Sequence, residues 1–499
     1  MERYILTIDQ GTTGSRALLV DRAGRVAADA YEEFPQIYPQ PGWVEHDPEA
    51  IWDRTLSVVR RTLSAAGLAP ERIAAIGIAN QRETTVLWDR RTLRPVHNAV
   101  VWQCRRSAAI CEQLKSEGLE DAFRSRTGLL LDAYFSGTKV KWLLDEVPGL
   151  RARAELGEIA FGTVDSWLIA RLTGGAVHAT DYTNAARTLL FNIHDRSWDP
   201  ELLRALGVPA SVLPQVVPSA HVAGVTDAAL FGAAIPIAGI AGDQQAALFG
   251  QSCTAAGEAK NTYGTGCFLL LNVGSKRVDP GRGLILTLAC DPDGKPCYAL
   301  EGSVFIAGAV VQWLRDGLGL IASAAESQTL AESVPDTQGV YLVPAFAGLG
   351  APHWDMYARG GVLGITRGTT RAHLVRAALE GIAYQTRDLV DGFREAAGAG
   401  FDELRVDGGG CRNDFLMQFQ ADILGCPVDR SHHLESTAMG AAYLAGLTVG
   451  FWESPEEVSQ LRRSAKVFRP RIDAAERERR HQGWKEAVER VKSRGPQQG

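Results

Sequence analysis

Several apolar segments of this chain break off in the same manner, in loops that join glycine to an acid, an amide or a hydroxyl: IDQGTTGSR at 8–16, IAGDQQAA at 240–247 and VDGGGCRND at 406–414. A fourth, NTYGTGCF at 261–268, sets Thr265 between glycines. A connection that only reverses direction needs two residues such as Asn-Gly. The surplus in the first loop suggests an anion, because glycines let backbone N–H groups approach a phosphate, the Thr12 and Thr13 hydroxyls add donors, and Arg16 adds charge. Asp9 would repel a bare phosphate but suits one that carries magnesium. Each loop alone reads better as a turn, or, for Asp243 and Asn413, as a helix cap. Four together suggest one cleft, since ligands of α/β proteins gather where strands end and helix N-termini present free N–H groups.

The flanks RYILT and ALLVD are apolar almost without a break, as in strands covered on both faces, and DRAG turns the chain into RVAADAYEEF, giving a meander. In GWVEHDPEAIW, Asp47 reads as N-cap and Pro48 as the first residue of a helix. RIAAIGIAN and TTVLWD read as strands, and NAVVWQCRR as a third strand leading to a helix from Ser107, so the pattern is a layered α/β domain. At 499 residues the chain exceeds what one core supports, which implies at least two domains. The small, polar stretch GQSCTAAGEAKNTYGTG places a boundary near residue 250, after which CFLLLN and GLILTLAC restart a β pattern. That recurrence suggests duplicated halves, 1–250 and 251–499. The second ends in a charged amphipathic helix from about Asp473, followed by a GPQQG tail expected to fray.

A net charge of −6 leaves no basic surplus for nonspecific nucleic-acid binding. Eight cysteines without CxxC spacing read as reduced, mostly buried thiols. No apolar run reaches the roughly 18 residues of a membrane span, and MERYILTIDQ is unlike a secretion leader, so the expected location is the cytoplasm.

Neither GxxxxGK[ST] nor a strand-borne GxGxxG occurs, which removes the P-loop and the dinucleotide fingerprint. The loops instead resemble the two phosphate loops and the adenosine loop of the actin, sugar kinase and heat-shock ATPase superfamily. Within it, YFSGTKVKWLL at 134–144 and GGVLGITRGTTRAHLVRAALEG at 360–381 resemble the FGGY carbohydrate kinases. GWVEHDP, NQRETTVLWD, VWQCRR, DAYFSGTKVKW, GIAGDQQAALFGQ and PHWDMYARG are similar to those members that act on glycerol, and the similarity runs from about residue 3 to 490.

The resemblance implies two duplicated actin-like (ribonuclease H-like) α/β domains with an interdomain cleft, ATP and Mg2+ as cofactors, glycerol as substrate and a homodimer or homotetramer. By the same carry-over Arg82 and Glu83 hold the distal hydroxyls, Tyr134, Asp243 and Gln244 surround the rest of the polyol, and Trp102 and Phe268 pack on its carbons. Asp243 is the general base, and Asp9 supports magnesium with Asp243 contributing through water. Thr12, Thr13 and Arg16 meet the terminal phosphates, while Thr265, Gly308, Gln312, Gly409 and Asn413 line the nucleotide channel. Gly308 and Gln312 are four residues apart, on one helix face. Gly14 departs from the family pattern, a serine there: it keeps a backbone donor and loses a hydroxyl.

Some relatives bind fructose 1,6-bisphosphate through a basic, glycine-rich loop or carry a phosphorylatable histidine; VTDAALFGAA at 225–234 has neither, so insensitivity to both controls is expected. PRIDAAERERR only loosely resembles a surface that binds a sugar-transport regulatory protein. Without the resemblance, Arg82 and Glu83 read as an ion pair and Trp102 and Phe268 as core. The rival readings are an FGGY kinase for another polyol or ketose, and a nucleotide-gated binding or filament protein on an actin-like fold.

Overall fold

The computed structural model describes residues 2–281, 283–291, 295, 297–398 and 400–493. The packed residues form two units that the chain visits alternately: 1–252, 286–298 and 436–462 make the first, and 253–285, 299–435 and 463–499 the second. The chain first crosses after Ser252 and then returns twice to the first unit.

In the first unit β1 (Tyr4–Gln10) and β2 (Gly14–Val20) form a hairpin that pairs Asp9 with Arg16 and Gln10 with Ser15. β3 (Val26–Glu33) continues antiparallel along β2, completing the expected meander. β4 (Ile73–Asn80) lies parallel to β1, β5 (Ala220–Val225) is an antiparallel edge, and β6 (Pro236–Gly242) lies parallel to β4. The order across the sheet is β5-β6-β4-β1-β2-β3.

Every residue of β4 is buried, as its unbroken apolar run predicts for a strand covered on both faces. One cover is the helix Pro48–Ala66, which Asp47 starts by accepting from the Glu49 amide and Gly67 ends in the left-handed region. Its Ile51, Trp52, Val58 and Val59 join Leu6, Ile8, Leu19, Ile76 and Ile78 in one core cluster, and full burial of each such side chain stabilises the fold by roughly 1.5–3 kcal/mol. The other cover, the helix Ser436–Thr448, arrives from late in the chain. Its alanines at 438, 441, 442 and 445 pack with Ile5, Leu18, Ala75 and Ala238. Small residues let the backbones meet: a side chain on Gly77 would strike the Ala441 carbonyl, and one on Gly239 would stand 2.5 Å from the Ala445 nitrogen.

Two sequence expectations change in detail. NAVVWQCRR supplies only the two-residue strand Ala99–Val100, paired with Glu45–His46, because the chain turns back through hydrogen bonds at Cys104 and Arg105. VLWD pairs with Ile159–Gly162 in a separate two-stranded sheet.

The second unit repeats the pattern. β7 (Ala259–Tyr263) and β8 (Cys267–Gly274) form its hairpin, followed by β9 (Tyr298–Val304), and β10 (Leu404–Asp407) and β11 (Val428–Ser431) run parallel to β7. β12 (Ser464–Phe468) is the antiparallel edge at one end, and these six strands of a seven-stranded sheet run in the order β9-β8-β7-β10-β11-β12. In both units, then, a hairpin strand is followed by two parallel neighbours and an antiparallel edge, the duplication suggested by the restarted β pattern. The helix Arg371–Ala397 carries the periodic HLVRAALEG segment, and Asp473 caps the charged terminal helix Ala474–Val491. The GPQQG tail lies outside the described residues.

Candidate functional site

Gln10, Asn80 and Gly242 lie in register across the parallel strands β1, β4 and β6. Immediately beyond that row come the turn Gly11–Gly14, the segment Gln81–Glu83 and the pair Asp243–Gln244. Neighbouring strands are about 5 Å apart, so three loops from adjacent strands start within about 10 Å of one another. This is the carboxyl edge at which parallel sheets bind ligands.

Arg82 and Asp243 meet there, with Nε 3.1 Å from Oδ1, and Arg82 Nε also lies 3.8 Å from Glu83 Oε1. The Arg82 and Glu83 side chains are 2% exposed and that of Asp243 is 29% exposed, so the aspartate is the member of the trio most open to a ligand. It is the first residue of the helix Asp243–Gly250 and not its cap, which is Gly242. Gln244 is buried beside it and donates its amide to Asp243 Oδ1 at 2.7 Å.

Glu83 has φ of 60°, a strained conformation for a residue with a side chain. Its surroundings hold it there: Arg187 Nε donates to Glu83 Oε1 at 2.6 Å, and the Ser136 and Thr85 hydroxyls donate to its carbonyl at 3.0 and 3.1 Å. The Arg187 guanidinium carbon also stands 5.6 Å from the centre of the Tyr134 ring. Lys139 donates to the carbonyl of Phe135 at 3.1 Å, and burial pushes its ammonium pKa down to about 8. Trp102 meets Tyr134 edge to face at 5.5 Å and donates from Nε1 to Thr12 Oγ1 at 3.0 Å, joining this wall to the first turn.

That turn is closed by the Gly11 amide donating to the Gly14 carbonyl at 2.9 Å. Thr12 and Arg16 are half-buried and Thr13 is exposed; Asp9, on the preceding strand, is half-buried. Four residues outside the expected set support it from behind. Gln10 and Gln81 donate to the Gly11 carbonyl at 2.8 and 3.1 Å, and Gln36 donates to the Thr12 carbonyl at 3.0 Å. His46 joins two of them, with Nε2 2.7 Å from Gln36 Oε1 and Nδ1 3.4 Å from Gln81 Nε2. That pairing makes Nε2 the protonated nitrogen of a neutral ring, and burial agrees by pushing the His46 pKa down to about 4. A hint was present in the sequence, since Gln36, His46 and Gln81 lie in or beside segments that resemble the family.

The second unit carries the remaining candidates. Thr265 stands exposed at the tip of the β7–β8 hairpin, where its carbonyl accepts from the Ala307 amide at 2.8 Å. Gly308 donates to the Gly264 carbonyl at 3.0 Å and lies so close that a side chain on it would stand 2.6 Å from that oxygen. Gly308 and Gln312 begin and end one helical segment, on a shared face as expected. Gly409 is exposed at the start of the turn Gly409–Arg412, with open space where a side chain would be. Asn413 caps the helix Asp414–Leu424, accepting from the Leu416 amide at 3.0 Å and donating to Ser327 Oγ at 3.1 Å. Phe268 is half-buried on β8, in this unit, while Trp102 and Tyr134 belong to the first.

Both units thus close a hairpin with a glycine-hydroxyl turn, and the first unit sets a carboxylate and a guanidinium on the same sheet edge. The chain belongs to the FGGY family of carbohydrate kinases, matching the N-terminal domain over residues 4–250 and the C-terminal domain over 259–449. Glycerol kinase 2 of Thermotoga maritima is 59% identical over 488 residues, 98% of each chain. A glycerol kinase of Caldanaerobacter subterraneus subsp. tengcongensis is 58% identical over 491 residues, 98% of this chain and 99% of its own. Among solved structures, a Plasmodium falciparum glycerol kinase with ADP superposes with a TM-score of 0.92 at 37% identity, covering 98% of each chain. A Lactobacillus acidophilus gluconate kinase gives 0.87 at 23% identity over 98% of this chain and 97% of its own, a likeness of fold.

Proposed function

We propose that the chain transfers the terminal phosphoryl group of ATP to a primary hydroxyl of glycerol, giving sn-glycerol 3-phosphate and ADP. The observation that carries the reading is the Arg82–Asp243 contact at 3.1 Å, at the edge shared with the Gly11–Gly14 turn, with Glu83 beside it. Arg82 and Glu83 together offer donors and an acceptor to hydroxyls of a triol, and the Trp102 and Tyr134 rings offer an apolar wall to its C–H edge. The full-length likeness to named glycerol kinases supports this substrate over a ketose or gluconate.

In the reaction, Asp243 takes the proton of the hydroxyl as its oxygen bonds to the γ-phosphorus, and the bond from that phosphorus to the β-phosphate oxygen breaks. A positioned base contributes about 10²–10⁴-fold. The rest comes from alignment and from neutralising charge spread over the transferring group, for which Thr12, Thr13 and the amide of Gly14 on the first turn, with Arg16 on β2, would serve. In the second unit Thr265, Gly308, Gln312, Gly409 and Asn413 would contact the nucleotide, and Phe268 the polyol carbons.

No group of three or more acidic, histidine or cysteine side chains is gathered for a metal among the described residues. Magnesium on a nucleotide needs only one or two carboxylates beside phosphates and waters, which Asp9 and Asp243 fit. When bound it would neutralise charge on the terminal phosphates.

No helix among the described residues is long and apolar enough to cross a membrane. We place the enzyme in the cytoplasm, as a homodimer or homotetramer. ADP release measured with glycerol, xylulose, ribulose or gluconate, and without any of them, tests the reading. Release that depends on glycerol alone is expected, and equal release without a polyol would overturn it.

A further inference from the structure

Gly14 does not need to be glycine for its backbone, since it is absent from the residues with positive φ. It needs to be glycine for space. A β-carbon on it would stand 2.7 Å from Tyr31 Cε2 and Cζ and 2.7 Å from the Glu32 carbonyl oxygen, closer than such atoms approach. The ring of Tyr31 and the Glu32 carbonyl together therefore occupy the volume that a side chain at position 14 would need.

That ring does more than fill space. Tyr31 lies opposite Arg16 in the β2–β3 register, with the guanidinium carbon 5.4 Å from the ring centre, within cation–π range. Its hydroxyl stands 3.3 Å from Thr13 Oγ1. At 39% exposure it is no core residue, so packing against an interior does not account for its position. One side chain thus adjoins Thr13 and Gly14 of the phosphate turn and Arg16 on the strand that follows it.

We propose that Tyr31 is a positioning residue of that turn, whose hydroxyl replaces the one missing at position 14 and orients Thr13 toward the terminal phosphates of the nucleotide. The inference rests on the kinase reading of the turn. With glycine at 14, the Tyr31 hydroxyl is the one that stands beside Thr13.

The test is titration calorimetry of the full chain with the magnesium complex of AMP-PNP, alongside melting temperature and glycerol KM. Tyr31→Phe keeps the ring and removes only the hydroxyl; it should weaken binding of the analogue about threefold to tenfold, the range one neutral hydrogen bond covers, with melting temperature and glycerol KM unchanged. Gly14→Ser should weaken it at least as much. Tyr31→Ala, which removes ring and hydroxyl together, should weaken it at least as much as Tyr31→Phe does, by the same hydrogen-bond scale. Wild-type affinity in Tyr31→Phe or in Tyr31→Ala overturns the inference while leaving the kinase reading in place. Failure of the wild type to bind the analogue overturns both.

Discussion

Arg187 donates to Glu83 across 2.6 Å with the arginine side chain fully sealed and the glutamate 2% exposed. A buried pair of this kind is costly to break from one side, about 3–5 kcal/mol, because the remaining charge keeps its desolvation penalty. Arg187→Met should lower the urea midpoint accordingly and raise glycerol KM at least tenfold, with ATP KM little changed. Arg187→Lys, which keeps the charge and loses the planar fork, should recover only part of both. A glycerol KM unchanged in Arg187→Met would show that Glu83 needs no such partner.

Asp243→Asn preserves the shape of the side chain and an acceptor for Arg82 Nε. Turnover should fall by about 10²–10⁴-fold while the circular dichroism spectrum stays that of the wild type. Turnover within a few-fold of wild type would remove Asp243 as the base.

The buried His46 gives stability a pH dependence of definite sign. Its folded pKa of about 4 lies below the free value of 6.5, so the ring is neutral in both states above that value. As pH falls from 6.5 toward 4, the unfolded chain takes up a proton that the folded one refuses, and stability drops by up to about 3 kcal/mol. His178, which burial also pushes down to about 4, acts in the same direction. Urea midpoints followed from pH 7 to 4.5 should fall less steeply in His46→Gln than in the wild type; parallel curves would contradict this.

Asp165 has the opposite sign. Burial, with Asp181 nearby, raises its pKa to about 7. Its contribution is complete below the free value of 3.8 and is lost as pH rises through 7, because the unfolded chain ionises first. Asp165→Asn mimics the protonated form and should gain stability relative to the wild type between pH 4 and 7. A constant difference across that range would show that the carboxyl does not titrate there.

Gly440, on the helix Ser436–Thr448, has no room for a side chain, since its β-carbon would run into the Ala246 carbonyl. Gly440→Val should therefore destabilise the fold by about 3 kcal/mol, read as a lower urea midpoint, with refolding still reversible. An unchanged midpoint would mean that the two helices separate easily.

The hairpin at Gly11–Gly14, the capped helix at Pro48 and the strand Ile73–Asn80 were legible because each is fixed by neighbours in sequence: a turn, a cap, an apolar run. The same holds for Gly308 and Gln312, whose four-residue spacing becomes one helical turn. The supporting set of His46, Gln81, Lys139 and Arg187, with the half-buried Gln36, is hardly legible in the sequence, because such a side chain is recognisable only from its partners, and these come from distant segments. Asn413 shows the converse, since a residue chosen for a ligand also caps a helix. The short strand at Ala99–Val100 was overread because apolar composition does not reveal where a chain turns back.

The helix that roofs the first sheet is made last among that sheet's parts, since residues 436–448 follow almost the whole of the second unit. A ribosome releasing this chain exposes one face of β4 and β6, glycines included, until those residues emerge, so the N-terminal half cannot finish folding in its order of synthesis. A fragment ending near residue 250 would share that defect permanently, with alanine- and glycine-lined strands open to any passing partner.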